Sequence, residues 1–263
     1  MKKTITLYQI DAFAKSVFGG NPAAICPLNE WIPDDLMQQI AIENNLAETA
    51  FFVKKDDVYH IRWFMPSGEI NLCGHATLAS AFVIFNYLNH PTDKISFTCL
   101  SGKLGARRSE NGQITLDFPV WKNEPIDIPP EVFKAFNHQP IAAYATRDLL
   151  LIFETERQIL DLKPNLSLLK HLPFLGINCT AKGDTVDFVS RVFDANDAIS
   201  EDPVTGSAHC GFVPYWAEKL GKTTLHARQL SARQGDLFCE LKGDRVFLSG
   251  HAAAYMKGEI WLP

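Results

Sequence analysis

The sequence is short of most features that would give a protein of this size away. No uncharged apolar run approaches the roughly 18 residues that a membrane-crossing helix needs. No C-x-x-C pair occurs, and the six cysteines (26, 73, 99, 179, 210 and 239) and eight histidines have no ligand spacing. They read as reduced, mostly buried thiols with no metal site. No basic run appears, and a net charge of −5 gives no support to a nucleic-acid or anionic-membrane partner. Low-complexity sequence is absent. Met1-Lys2-Lys3-Thr4-Ile5 begins like a secretory leader, but Asp11 interrupts the apolar run and no small-residue cleavage site follows. The expected compartment is the cytoplasm.

What remains is an ordinary globular composition, 46% hydrophobic and 21% charged over 263 residues. A chain this long buries about three quarters of its unfolded surface and needs neither disulfide nor metal to fold. Its organising feature is a repeat. Asn71-Leu72-Cys73-Gly74-His75-Ala76-Thr77 is echoed by Pro203-Val204-Thr205-Gly206-Ser207-Ala208, and Gly206 follows Gly74 by 132 residues, half the chain. Arg62-Trp63-Phe64 precedes the first loop and Arg191-Val192-Phe193 the second. Each loop leads into an apolar segment, Gly74 to Leu88 and Ala208 to Leu220, and a helix apolar nearly all round is buried nearly all round. Pro214 should bend the second helix, and Lys219-Leu220-Gly221 should close it.

Strands are expected over 5–13, 23–26, 48–53, 58–64, 142–144, 149–153, 188–193, 224–232, 237–241, 245–248 and 251–261, with more around Gly102 and Gly112. Helices are expected from Pro33 to Asn44 and, more weakly, from Leu166 to Leu172. The fold class is therefore α+β: two pseudo-symmetric halves, each a curved sheet wrapped round a central helix. The proline-rich stretch Phe118 to Pro130 divides them, giving residues 1–118 and 119–263. The final strand, near 252–263, is expected to cross back to the first half. Two helix N-termini would then point at one central cleft.

Glu48 is the first candidate for chemistry. It lies among Leu46, Ala47, Ala50, Phe51 and Phe52 at a helix-to-strand turn, a setting in which a carboxyl can serve as general acid and base; the bland alternative is an exposed strand-end acid. His75 follows Gly74 at a helix start, where free N–H groups can receive an anion and imidazolium is disfavoured. With Ser207 it could form a carboxylate cradle, although polar first-turn residues also simply cap helices. Asp202 precedes the second loop, as a ligand or as a cap. Cys73 raises a different chemistry, because cofactor-free racemases place one thiol on each face of the substrate. Here the repeat sets Thr205 opposite Cys73, and a hydroxyl is too weakly acidic to be the second base.

These motifs resemble the PhzF family of phenazine-biosynthesis-type isomerases. The resemblance rests on Asp11-Ala12-Phe13, Gly20-Asn21-Pro22-Ala23, Asn45-Leu46-Ala47-Glu48-Thr49-Ala50, Cys73-Gly74-His75-Ala76-Thr77, Glu201-Asp202-Pro203-Val204-Thr205-Gly206-Ser207-Ala208 and Ser231-Ala232-Arg233-Gln234-Gly235. It spans nearly the whole chain in order. It implies a diaminopimelate-epimerase-like fold, often a homodimer, and cofactor-independent isomerisation of a small carboxylic acid. The founding activity converts trans-2,3-dihydro-3-hydroxyanthranilate, a glutamate taking a proton from one ring carbon and a proton being returned at another. By resemblance Glu48 is that base, and Gly74, His75, Asp202 and Ser207 contact substrate, with Cys73, Thr205 and Gly206 secondary. Two positions depart from the pattern: Cys73 stands where alanine is frequent, and Gln234 where a second glycine is common. The rival readings are an epimerase using Cys73 and a non-catalytic binder of small acids.

Overall fold

The structure, a computed structural model, describes residues 4–194 and 200–262. The Met1-Lys2-Lys3 start considered above for a leader lies outside them. The chain divides into two compact units, one of residues 1–117 with 249–263 and one of residues 118–248.

In the first unit the chain runs β1 (Thr4–Ala12), β2 (Asn21–Leu28), α1 (Asp34–Asn44), β3 (Glu48–Lys55), β4 (Val58–Met65), β5 (Gly68–Ile70), α2 (Gly74–Tyr87), β6 (Lys94–Cys99), β7 (Gly102–Arg108) and β8 (Ile114–Pro119). The second unit contains β9 (Glu124–Ile126), α3 (Pro130–Ala135), β10 (Ala142–Ala145), β11 (Leu149–Ile152), α4 (Glu156–Leu160), β12 (Ile177–Lys182), β13 (Phe188–Phe193), β14 (Glu201–Asp202), α5 (His209–Leu220), β15 (Thr224–Gln229), β16 (Gly235–Lys242) and β17 (Arg245–Gly250). A last strand, β18 (Ala252–Trp261), returns to the first unit and pairs antiparallel with β1.

The two units repeat one topology. In the first, β1 is antiparallel to β2, β2 parallel to β3, β3 antiparallel to β4, β4 parallel to β6 and β6 antiparallel to β7. In the second, β10, β11, β12, β13, β15 and β16 pair in the same sequence of directions. The strand ahead of this series is supplied locally in the second unit, by β9 against β10, and by the chain's last strand in the first.

The sequence pattern explains the wrapping. Eleven of the fourteen residues of α2 are buried, so strands must cover it on all sides, and β1, β2, β3, β7 and β18 all pack on it. Leu78, Val83, Ile84 and Phe85 each gain roughly 1.5–3 kcal/mol from that burial. On the other face of the same sheet α1 sets Met37, Ile40 and Ala41 against Ala24, Cys26, Phe51 and Phe64. The second unit has an equivalent outer layer, Val132, Ala135 and Ile159 of α3 and α4 against Leu149, Leu151, Cys179 and Val189.

Some local expectations need correction. The helix expected from Leu166 to Leu172 is a single 3-10 turn, Leu166–Leu168, with no side-chain cap to start it. Strand β12 and helix α4 were not foreseen, although Thr155-Glu156-Arg157-Gln158 forms a complete capping box. Helix α5 starts at His209, and Gly206 to Ala208 form a tight turn before it, bonded by His209 N to Gly206 O and Cys210 N to Ser207 O (3.1 and 3.0 Å). Pro214 lies inside α5, and Gly221 closes it in the left-handed conformation.

Gly20 is the backbone position with least freedom. Its φ is +62°, and a Cβ there would lie 2.0 Å from the carbonyl oxygen of Ala12. Gly20→Ala is expected to cost about 2 kcal/mol or more, read as a lower urea midpoint. Gln234 is also left-handed, at φ +50°, so Gln234→Gly should hold or raise stability by up to about 1 kcal/mol, read at the same midpoint. Equal destabilisation by both changes would contradict this reading.

Candidate active site

The predicted site residues fall into two sets, one in each unit. Glu48 opens β3 immediately after α1, which Asn45 stops in the left-handed conformation by donating its N–H to Ala41 O (3.2 Å). Glu48 is only 9% exposed. Alternation along β3 sends Phe51 to the α1 side and Glu48 to the opposite, α2 side. There its Oε2 lies 2.9 Å from Nε2 of His75, the second residue of α2. The approach is off the line of a hydrogen bond, and neither atom has another hydrogen-bond partner among the described residues. Two buried polar atoms left so call for an explanation.

The other ring nitrogen of His75 is crowded. Asn21 Nδ2 lies 3.1 Å from Nδ1, and Cys73 Sγ lies 3.6 Å from the same atom. Cys73 caps α2 in an extended conformation, and Thr77 donates back to its carbonyl oxygen. Burial pushes the Cys73 thiol up to about 11, helped by the Glu48 charge and opposed by His75, so it is a neutral thiol in the physiological range. For His75 burial is the largest effect and opposes the cation. The balance nonetheless lies well above the ordinary imidazole value, because the charges of the Cys73 sulfur and the Glu48 carboxylate favour imidazolium. The sulfur does so only as a thiolate, so near neutrality the support comes from Glu48. The expected effect of the helix N-terminus, to disfavour imidazolium, is outweighed by a carboxylate 2.9 Å away.

In the second unit Asp202 ends β14, held against β13 by the pairing Val192↔Asp202. A two-pronged ion pair, Arg191 to Glu201 (2.7 and 2.8 Å), locks that hairpin. The first unit has the same device, Arg62 to Glu69 (2.7 Å on both prongs), and Glu201 follows Glu69 by the 132 residues of the repeat. Thr205 Oγ1 donates to Asp202 Oδ2 (2.6 Å). Gln229, fully buried, ties both residues down. Its Nε2 donates to Asp202 O (2.6 Å) and Thr205 Oγ1 (3.2 Å), and its Oε1 accepts from Thr205 N (2.8 Å). Ser231 Oγ donates to Pro203 O (2.7 Å) and accepts from Gln234 N (3.1 Å). The left-handed Gln234 therefore keeps the turn that a glycine would make. Gly206 is buried and Ser207 half-buried in the turn that follows.

Thus Glu48, Cys73 and His75 come together directly, as do Asp202 and Thr205. Sequence reasoning missed Asn21, taken only as turn chemistry, and Gln229. The signal for Gln229 was present: Leu225 and Ala227 mark the buried face of β15, and Gln229 continues it with a polar side chain. One group of ligand atoms suits a metal ion among the described residues, the buried Glu48, Cys73 and His75, whose atoms lie within 4.8 Å of one another. Glu48 stands 25 residues before Cys73 in the chain, so no local spacing could reveal it.

His209 shows how deeply the second loop is braced. Fully buried, it holds Thr205 O through Nδ1 (2.9 Å), as Thr77 holds Cys73 O. Burial pulls its pKa down to about 4, against about 6.5 in the unfolded chain. Between those values only the unfolded chain takes up the proton, so stability falls as pH drops from about 6.5 to about 4, by about 3 kcal/mol for this group. His209→Gln, which can still donate to Thr205 O, should lose about 2 kcal/mol less than the parent between pH 7 and pH 4.5 in urea titrations. Parallel losses would remove His209 as the cause.

Comparison with known proteins agrees with this architecture. The profile of the PhzC-PhzF family, described as phenazine biosynthesis-like protein, matches residues 10–258. A Pseudomonas aeruginosa protein described as an uncharacterized isomerase is 46% identical over 258 residues, covering 98% of this chain and 99% of that one. A crystal structure of a PhzF-family phenazine biosynthesis protein from Enterococcus faecalis superposes with a TM-score of 0.96 at 47% identity, over 99% of this chain and 100% of that one. A hydroxyproline epimerase from Agrobacterium vitis shares the fold alone, with a TM-score of 0.62 at 10% identity over 100% of this chain and 94% of that one. With its repeated sheet-and-helix units and a match over nearly its full length, the chain belongs to the PhzC-PhzF family of phenazine biosynthesis-like proteins.

Proposed function

We propose that the protein is a cofactor-independent isomerase that moves a proton on a small unsaturated or amino carboxylic acid, with Glu48 as general base and then general acid. The observation that carries this reading is the buried Glu48 carboxyl beside His75, neither atom having an aligned hydrogen bond. A carboxylate largely shielded from water can take a proton from carbon and keep it from solvent long enough to return it at a second carbon. The Gly74 N–H and the His75 ring are donors for the substrate carboxylate or for the enolate-like charge that develops as the proton leaves, where preorganised donors matter most. Asp202 is the acceptor for a substrate amine or hydroxyl, and Ser207 a further donor, on a loop fixed in advance by Gln229 and Ser231.

The epimerase alternative, with Cys73 as one base, is disfavoured by two observations. Its thiol is held up to about 11, leaving little thiolate near neutrality. The residue opposite it in the repeat, Thr205, has its hydroxyl proton committed to Asp202. With Cys73 and Thr205 both disfavoured as bases, removal and return of a proton by Glu48 is the better reading.

Incubation of a panel of small unsaturated and amino carboxylic acids with the protein in D2O, followed by NMR, would test this. A carbon-bound proton should exchange or shift position, and Glu48→Gln should slow the process about 10²- to 10⁴-fold while ligand binding survives. Cys73→Ser should retain the reaction. Near-normal turnover in Glu48→Gln would remove the proposed base, and abolition by Cys73→Ser alone would favour the epimerase.

A further inference from the structure

We propose that Glu48, Cys73 and His75 also form a chelating site for a thiophilic divalent cation such as Zn2+, and that filling it switches the protein off. Three observations point there. The first is geometric. One ligand atom from each residue lies within 4.8 Å of the others, with Glu48 Oε2 2.9 Å from Nε2 and Cys73 Sγ 3.6 Å from Nδ1 of the same ring. A four-coordinate zinc with bonds of roughly 2.0–2.3 Å spaces its ligand atoms about 3.3–3.7 Å apart. Because the carboxylate and the sulfur meet different ring nitrogens, an ion on either one requires the remaining side chain to rotate towards that edge of the ring. All three are carried by fixed backbone, the first residue of β3 and the cap and second residue of α2.

The second observation is electrostatic. All three residues are buried, and a buried site tolerates a dication only where its charge is matched. A carboxylate, a thiolate and a neutral imidazole cancel the two positive charges in full. The third is that Glu48 Oε2 and His75 Nε2 have no aligned hydrogen bond to give up. The balance is simple: bonds form from the ion to sulfur, nitrogen and oxygen, Cys73 releases its thiol proton to solvent, imidazolium releases one of its protons, and nothing is oxidised or reduced. With the ion on Nε2, a half-turn of the Asn21 amide presents Oδ1 to Nδ1–H, fixing the ring as an outer partner does in metal sites. A fourth position remains for water or a carboxylate ligand.

The site itself is independent of the reaction proposed above; only its effect on turnover rests on that reading, since the ion occupies the carboxylate that would take the proton. Co2+ is the probe for the full chain at neutral pH. One equivalent should produce a thiolate-to-cobalt charge-transfer band in the near ultraviolet and intense four-coordinate bands in the visible, all erased by one equivalent of Zn2+. Cys73→Ser should abolish the charge-transfer band, and Glu48→Gln should weaken Co2+ binding by about tenfold or more. No band in the parent protein, or an unchanged band in Cys73→Ser, would overturn the site even if the serine variant folds poorly, because the parent alone decides the first point. Zn2+ should stop proton exchange and EDTA should restore it. Stoichiometric Zn2+ that leaves exchange untouched overturns the switch, whereas a protein that exchanges nothing leaves the cobalt spectrum to decide the site.

Discussion

Burial of a helix with no polar side is the constraint from which the rest follows. Leu78, Ala79, Ala81, Val83 and Ile84 are wholly buried round most of the circumference of α2, so one flat sheet cannot satisfy the segment. Strands must pass round it. Once they do, the polar part of the helix left to act is its N-terminal turn, where the first backbone N–H groups have no partner within the helix. Chemistry and packing are thereby separated along one element: the shaft builds the core, and the tip, Gly74 and His75, is the place where a polar group can be met.

The second unit solves the same packing problem with the same strand order and different chemistry at the tip. Its Arg191–Glu201 pair repeats Arg62–Glu69, and His209 holds Thr205 O as Thr77 holds Cys73 O. These shared contacts brace backbone. What differs is what could touch a ligand. The first unit offers a carboxylate, a thiol and an imidazole, all buried; the second offers an aspartate and small hydroxyls on a loop pinned by Gln229. The repeated scaffold shares the contacts that fix its shape and differs in the polar groups at the helix tip.

Under the two proposals, one set of atoms has two uses. With the thiol protonated, the carboxylate would be the base. With the thiol deprotonated around a cation, all three groups would be ligands and the base would be consumed. Burial would make the two states exclusive, since an unmatched charge is costly there.

Much of this was legible in the chain. Helices α1, α2 and α5 follow from apolar periodicity, first-turn acids and terminal glycine or asparagine. Strands β1 and β4 announce themselves by period, and β3 and β13 by their β-branched and aromatic residues. Elements whose signals are short did not: α4 has one capping box, and β14 spans only Glu201–Asp202. The candidate residues could be named from their types and from the repeat, because a lone acid among aromatics and a Gly-His at a helix start are local facts. Their partners could not. That Glu48 meets His75, that Asn21 crowds the other nitrogen, and that Gln229 reaches across to Thr205 depend on contacts between residues 24 to 54 positions apart. Local propensity decides elements and their faces; which side chains share a few cubic ångströms, and so which protons they hold, is decided only when the strands close round the helix.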